Sequence, residues 1–310
     1  MTRVFNHTQD AGHPSVHIEV PHDLRDRLQA HVQHLAGDIG PRHMARPDAW
    51  RSTVTYIHRA LGDAAGPVSI ERFSVGQQQA DNLIVEWPGL DASAPTLIVA
   101  AHYDTVPNSP GADDNASAVA ALIEIARMLA NFQPRRTLRL IAFANEEEPH
   151  EQQGTMGSQA HARRCRARGE RVEMIALEML GYYDSAKEQR YPFPLTLARG
   201  TLLPRRADFV AMVSNLRSAG MLRRFARAFP RSHTLPVVAW PLPNLTRLIR
   251  RSDHGPFWDQ GFRAFMVTDT SFLRNPHYHQ PSDEPDTLNY DRLTDVTAGL
   301  CRAIAAYCGQ

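Results

Sequence analysis

Beyond Gly89 the chain is punctuated by short, unbroken apolar runs at residues 96–101, 137–144, 174–180, 209–213 and 263–268, set apart by stretches that include helical patterns. Runs of this length, without polar–apolar alternation, are how strands buried on both faces read, and such burial goes with a mostly parallel sheet covered by helices. The expected fold is therefore α/β, a three-layer sandwich with a mostly parallel central sheet flanked by helices. At 310 residues and 43% hydrophobic content, the chain can bury one large core.

The flanking patterns agree with that reading. Residues 23–61 read helical, with Trp50, Val54, Ile57 and Leu61 on one face, and Pro41 and Pro47 divide the stretch into two helices. Residues 68–73 alternate and 82–87 resume after a polar turn, as an edge hairpin would. Residues 116–130 are alanine-rich with a stripe of Val119, Ile123, Ala126 and Leu129, and 291–307 close the chain with another helix. Residues 182–251, rich in proline and arginine around one short strand and a helix near 221–229, read as an elaboration over the site. The expected organisation is a polar tail at 1–18 and a single domain at 19–310.

Composition excludes several classes. The 34 basic and 33 acidic residues leave a net charge of +1, too little for the broad positive field of nucleic-acid binding. Lys187 is the lone lysine, which reads as a coding bias. The first residues show no basic stretch followed by an apolar run, and no apolar segment approaches the roughly 20 residues of a membrane helix, so the expectation is a cytoplasmic protein without membrane partners. Cys165, Cys301 and Cys308 are an odd, unclustered set, which argues against disulfides and against a thiolate metal site.

Acidic and histidine residues fall where the apolar runs end, and in an open parallel sheet ligands bind at the carboxyl ends of strands. His102-Tyr103-Asp104 ends the first run, an imidazole with a carboxylate placed to hold its second nitrogen. The turn from Gly111 to Ser117 carries Asp113, as readily a turn-maker as a ligand, and Asp114, read as a ligand. Glu146, Glu147 and Glu148 end the second run, and three adjacent carboxylates at a buried strand end are costly unless cations neutralise them. Glu178 interrupts a buried run and needs a partner, and His279 follows the last strand. Carboxylates and imidazoles without thiolates suit zinc, with manganese or cobalt as substitutes. The donors His102, Asp114, Glu147, Glu178 and His279 exceed one tetrahedral shell, whereas two ions sharing a carboxylate would use them all.

At these residues the chain resembles the co-catalytic di-zinc metallopeptidases that include bacterial leucyl aminopeptidases, glutamate carboxypeptidases and, more distantly, glutaminyl cyclases. The matching segments are His102-Tyr103-Asp104, the Gly111 to Ser117 turn, Asn145-Glu146-Glu147, Gly157-Ser158, Glu178-Met179, Ser252-Asp253-His254 and Tyr278-His279, over roughly residues 80–305. The resemblance implies one ion on His102 and Glu178, another on Glu147 and His279, Asp114 bridging both, and a cis peptide after Asp114. It implies Glu146 as general base, Asp104 as support for His102, Tyr278 as an aid to the oxyanion, and Ser252-Asp253-His254 as support for the pocket. Glu178 departs from the aspartate that many members carry there. The implied activity is that of a zinc exopeptidase, an aminopeptidase by preference, acting on peptide or aminoacyl substrates. A carboxypeptidase, a single-zinc glutaminyl cyclase and a non-catalytic binding module are the alternatives on the same fold. Phe257, Trp258, Phe272 and Met179 are candidates to line the side-chain pocket.

Overall fold

The computed structural model describes residues 18–193, 195–230, 235–243 and 247–309, so the expected tail lies, but for its last residue, outside the described residues. In chain order the elements are α1 (Leu24–Val32), α2 (Pro47–Ala65), β1 (Ser69–Val75), β2 (Gln78–Trp87), β3 (Thr96–His102), α3 (Ala118–Met128), β4 (Leu138–Phe143), α4 (His150–Gln153) and α5 (Gly157–Ala167). There follow β5 (Val172–Glu178), β6 (Asp184–Glu188), β7 (Arg206–Ala207), β8 (Val210–Asn215), α6 (Ala219–Ala228), β9 (Val237–Leu242), α7 (His254–Asp259), β10 (Arg263–Thr268) and α8 (Tyr290–Cys308). The two expected N-terminal helices, the hairpin and the closing helix all stand.

Eight strands form one sheet in the order β1-β2-β4-β3-β5-β10-β8-β9, and β6 pairs with β7 in a small second sheet. The centre, β4-β3-β5-β10, is parallel throughout. Its strands alternate between two cores, as burial on both faces requires. Leu97, Val99 and Ala101 of β3 enter one core with Ile175 and Leu177 of β5 and with α1, α2, α3, α6 and α8. Ile98 and Ala100 enter the other with Met174, Ala176 and Phe257. The result is the expected three-layer sandwich. Helix α3 is buried on every side from Ala118 to Ala126, which explains its alanine-rich and almost uniformly apolar sequence.

The segment 182–251 is more deeply woven into the fold than one short strand implies. Strands β8 and β9 extend the main sheet, β8 antiparallel to β10 and β9 parallel to β8. Tyr191, Leu203, Phe209, Val213, Trp240 and Ile249 pack as a third apolar cluster on them. Strand β9 escapes sequence reading because Pro241 sits inside it, a residue that only an edge strand tolerates. Among the described residues no helix is long and apolar enough to cross a membrane.

Candidate metal centre

The site lies where the sheet reverses its order of growth. After β3 the chain adds β4 on one side and then β5 on the other, so the loops leaving these strands diverge and open a crevice above β3. His102 is the last residue of β3, Glu146 and Glu147 follow β4, and Glu178 is the last residue of β5. His279 arrives from the loop after β10, the neighbour of β5. Asp114 comes from the turn between β3 and α3.

These side chains meet in two triads that share one carboxylate. His102 Nε2 lies 3.3 Å from Asp114 Oδ1 and 3.4 Å from Glu178 Oε1. His279 Nε2 lies 3.2 Å from Asp114 Oδ2 and 3.2 Å from Glu147 Oε2. Both groups are compact enough to hold a metal ion, with one donor atom per residue all within 4.8 Å of one another. The spacing itself is informative, because donors about 2.0–2.1 Å from a tetrahedral zinc stand about 3.3 Å apart. Asp114 Oδ1 and Glu147 Oε1 are buried without a hydrogen-bond partner, which is costly for a carboxylate oxygen unless a cation takes the lone pair. Burial and the neighbouring charge of Asp114 push the Glu147 carboxyl up to about 7, so these acids crowd one another when only protein groups neutralise them. The donor set therefore fits divalent zinc.

A second layer of bonds sets the donors in place. His102 Nδ1 lies 3.2 Å from the main-chain oxygen of Asp104 and 3.5 Å from its Oδ1. The Asp104 carboxylate accepts shorter hydrogen bonds from the amides of Glu146 and Glu147, at 2.9 and 3.1 Å, so it orients the loop after β4 as well as the ring. Asp283 accepts from the amides of Asp113 and Asp114. Asp113 is not one of the donors in either triad: it accepts from the Gly181 amide at 2.8 Å and from Asn275 Nδ2 at 2.7 Å, tying the Asp114 turn to the loops after β5 and β10. Ser252 Oγ donates to Glu178 Oε2 at 2.6 Å, leaving Oε1 toward His102.

The backbone at the site is held in uncommon conformations. Asn145, Met179 and His279 have φ of 58°, 48° and 58°, left-handed values that non-glycine residues seldom adopt outside functional sites. Gly111, at φ 62°, has no room for a Cβ, which would strike the Asp114 carbonyl and Thr105. The peptide from Asp114 to Asn115 is cis, as the family resemblance implies.

Three contributors escaped the sequence reading. Asn115 Nδ2 donates to the Leu177 carbonyl at 3.0 Å and its Oδ1 accepts from the Met179 amide at 2.9 Å, clamping the main chain on both sides of Glu178. Arg42 is fully buried and donates to the carbonyls of Tyr103 at 2.9 Å and Gly111 at 2.7 Å. Asp283 is the third. Replacing Asn115 by alanine should strand one donor and one acceptor in the core, at about 1–3 kcal/mol each. A thermal melt lower by several degrees, with metal affinity reduced at the His102–Glu178 end, checks the expectation.

Of the expected pocket residues, Phe257 is fully buried in the second core and does not line a pocket, because it packs against Phe143 and Phe262. Met179 is buried too, and Trp258 donates to the Ala264 carbonyl and packs against that core. Phe272 is half-buried 5.8 Å from the Tyr278 ring, which itself stacks on the His279 ring at 3.8 Å.

A family model, that of peptidase family M28, matches residues 82–304. The chain is 35% identical over 290 residues to the uncharacterized protein YfbL of Escherichia coli (strain K12), covering 90% of this chain and 87% of that one. Its fold is similar to that of BSAP, a zinc aminopeptidase from Bacillus subtilis, with a TM-score of 0.68 at 16% identity, over 92% of this chain and 95% of that one. It is similar as well to the glutaminyl cyclase of Bacteroides thetaiotaomicron bound to N-acetylhistamine, with a TM-score of 0.65 at 18% identity, over 94% of this chain and 99% of that one.

Proposed function

The chain belongs to peptidase family M28, and on that premise we propose that it is a zinc-dependent aminopeptidase holding two ions, one on His102, Asp114 and Glu178 and one on Asp114, Glu147 and His279. The observation that carries the reading is that the two oxygens of Asp114 face different imidazoles, each in a triad of its own. A single ion would leave one triad of buried donors without a cation.

Zinc bound there supplies a water acidified toward neutrality and a Lewis acid for the scissile carbonyl. The protein groups do the rest. Glu146 stands beside the ligand Glu147 but belongs to neither triad, which frees its carboxylate for proton transfer. Burial, with Glu178, Glu147 and Asp253 adding to it, pushes its pKa well above the usual carboxylate range against the opposing pull of His102. A carboxylate so placed takes a proton from the attacking water and returns it to the leaving amine. Tyr278 stacks on the His279 ring, and in this reading its hydroxyl donates to the developing oxyanion. Glu178 in place of the shorter aspartate is accommodated because Ser252 fixes its outer oxygen.

The fold likeness to a glutaminyl cyclase supports a second reading, cyclisation of an N-terminal glutamine. Zinc content per chain, followed by assays on a leucyl anilide and a glutaminyl peptide, separates the two. Two zinc ions with anilide hydrolysis support the proposal; one zinc with cyclisation alone overturns it. Treatment with a chelator should remove activity and lower the melting temperature together, since ions that bind only the folded chain stabilise it.

A further inference from the structure

Lys187 on β6 is half-buried, and its Nζ donates to Tyr182 Oη at 3.2 Å and lies 5.3 Å from the centroid of that ring. Its basic neighbours are already engaged. Arg190 donates to the carbonyls of Phe272 and Leu273, Arg199 and Arg205 pair with Glu188, and Arg206 donates to the Ala186 carbonyl. Among the described residues no aspartate or glutamate comes within ion-pair distance, 4.0 Å, of Lys187. An ammonium carries three donors, of which Tyr182 takes one.

Tyr182 links this charge to the loop that carries His279. It stands four residues beyond Glu178, its amide is held by Asp269 Oδ2 at 3.0 Å, and its ring lies 6.0 Å from that of His277, two residues before His279. Four residues of chain span at most about 14 Å, the reach of a few residues of extended peptide.

We propose that Lys187 is a specificity-determining residue that receives a substrate carboxylate, either the free C-terminus of a short peptide or an acidic side chain near the scissile bond. The inference rests on the peptidase reading of the same site and names its substrate class. The unspent donors of a half-buried ammonium form charge-assisted hydrogen bonds with a carboxylate, which an amide replaces only weakly.

The test uses the full-length, zinc-loaded protein and three substrates: leucyl-alanine, leucyl-alanine amide and leucyl-glutamate amide. At least one carboxylate-bearing substrate should exceed leucyl-alanine amide in kcat/KM by about tenfold or more, mainly through KM, on the scale of a charged hydrogen bond. Preference for leucyl-alanine identifies the terminal carboxylate as the group received, and preference for leucyl-glutamate amide identifies the side chain. Lys187→Gln should bring the preferred substrate down to the level of the plain amide, and Lys187→Arg should restore part of the difference. Because the chain has a single lysine, acetylating the folded wild-type protein modifies only that ammonium and the N-terminal amine, and it should abolish the preference equally while leaving the kinetics of Lys187→Gln, acetylated in the same way, unchanged. Equal kcat/KM for all three substrates, or a preference that survives both glutamine and acetylation, overturns the proposal. If no substrate is hydrolysed, it is the peptidase reading that fails. Calorimetric affinities of the same compounds then decide the carboxylate question, equal values overturning it.

Discussion

Glu146→Gln is expected to lower turnover at least 100-fold while both zinc ions stay bound. The substitution keeps the size and polarity of the side chain and removes only its capacity to accept a proton. General acid–base groups contribute about 10²- to 10⁴-fold. The proposed metal donors are separate atoms: the triads are made by His102, Asp114 and Glu178 and by Asp114, Glu147 and His279, and the Glu146 carboxylate belongs to neither. Its amide stays bonded to Asp104 Oδ1 at 2.9 Å in the variant, so the loop that presents Glu147 keeps its anchor. Because the loss falls on the chemical step, kcat should drop with little change in KM. Elemental analysis beside steady-state kinetics checks both halves. Retained turnover would remove Glu146 from the proton-transfer role, and lost zinc would make it a structural ligand.

Asp114→Ala is expected to have the larger effect, because one side chain serves both triads. Its oxygens stand 3.3 Å from His102 Nε2 and 3.2 Å from His279 Nε2, so alanine takes a donor from each ion at once. Zinc content should fall below one per chain at a concentration that saturates the wild type, and activity should fall beyond the 100-fold expected for Glu146. By contrast, His279→Ala or Glu178→Ala should strike one ion first, since each belongs to one triad. A titration in which all three variants lose zinc in equal steps would contradict the shared-carboxylate arrangement.

The contrast between these groups shows what the sequence can and cannot reveal. His102, Glu146 and Glu147 are legible because each places a polar group at the end of an apolar run, and Glu178 because it interrupts one, positions where desolvation makes a carboxylate or imidazole expensive without a partner. His279 and Asp114 become legible once those runs are read as parallel strands whose carboxyl ends converge. Asn115, Asp283 and Arg42 were not legible, and the reason is physical. Each bonds main-chain atoms, as Asn115 does at Leu177 and Met179, and every residue offers such atoms, so the partner carries no mark in the sequence. Ser252 could be placed near the pocket by resemblance, whereas its bond to Glu178 Oε2 is a matter of geometry. The same limit explains Phe257, whose apolar side chain suits a pocket wall or a core equally and turns out to be core. Strand β9 was hidden by Pro241, which reads as a break in any sequence window and is harmless at a sheet edge.

In the proposed site Asp114 joins two cations, and every other assignment depends on that bridge. It is tested most directly by crystals of the zinc-loaded protein measured on both sides of the zinc absorption edge. Two anomalous peaks roughly 3.5–4 Å apart, one beside His102 and Glu178 and the other beside Glu147 and His279, with the Asp114 carboxylate between them, are the expected result. A single peak, or peaks that leave Asp114 uncoordinated, would contradict it.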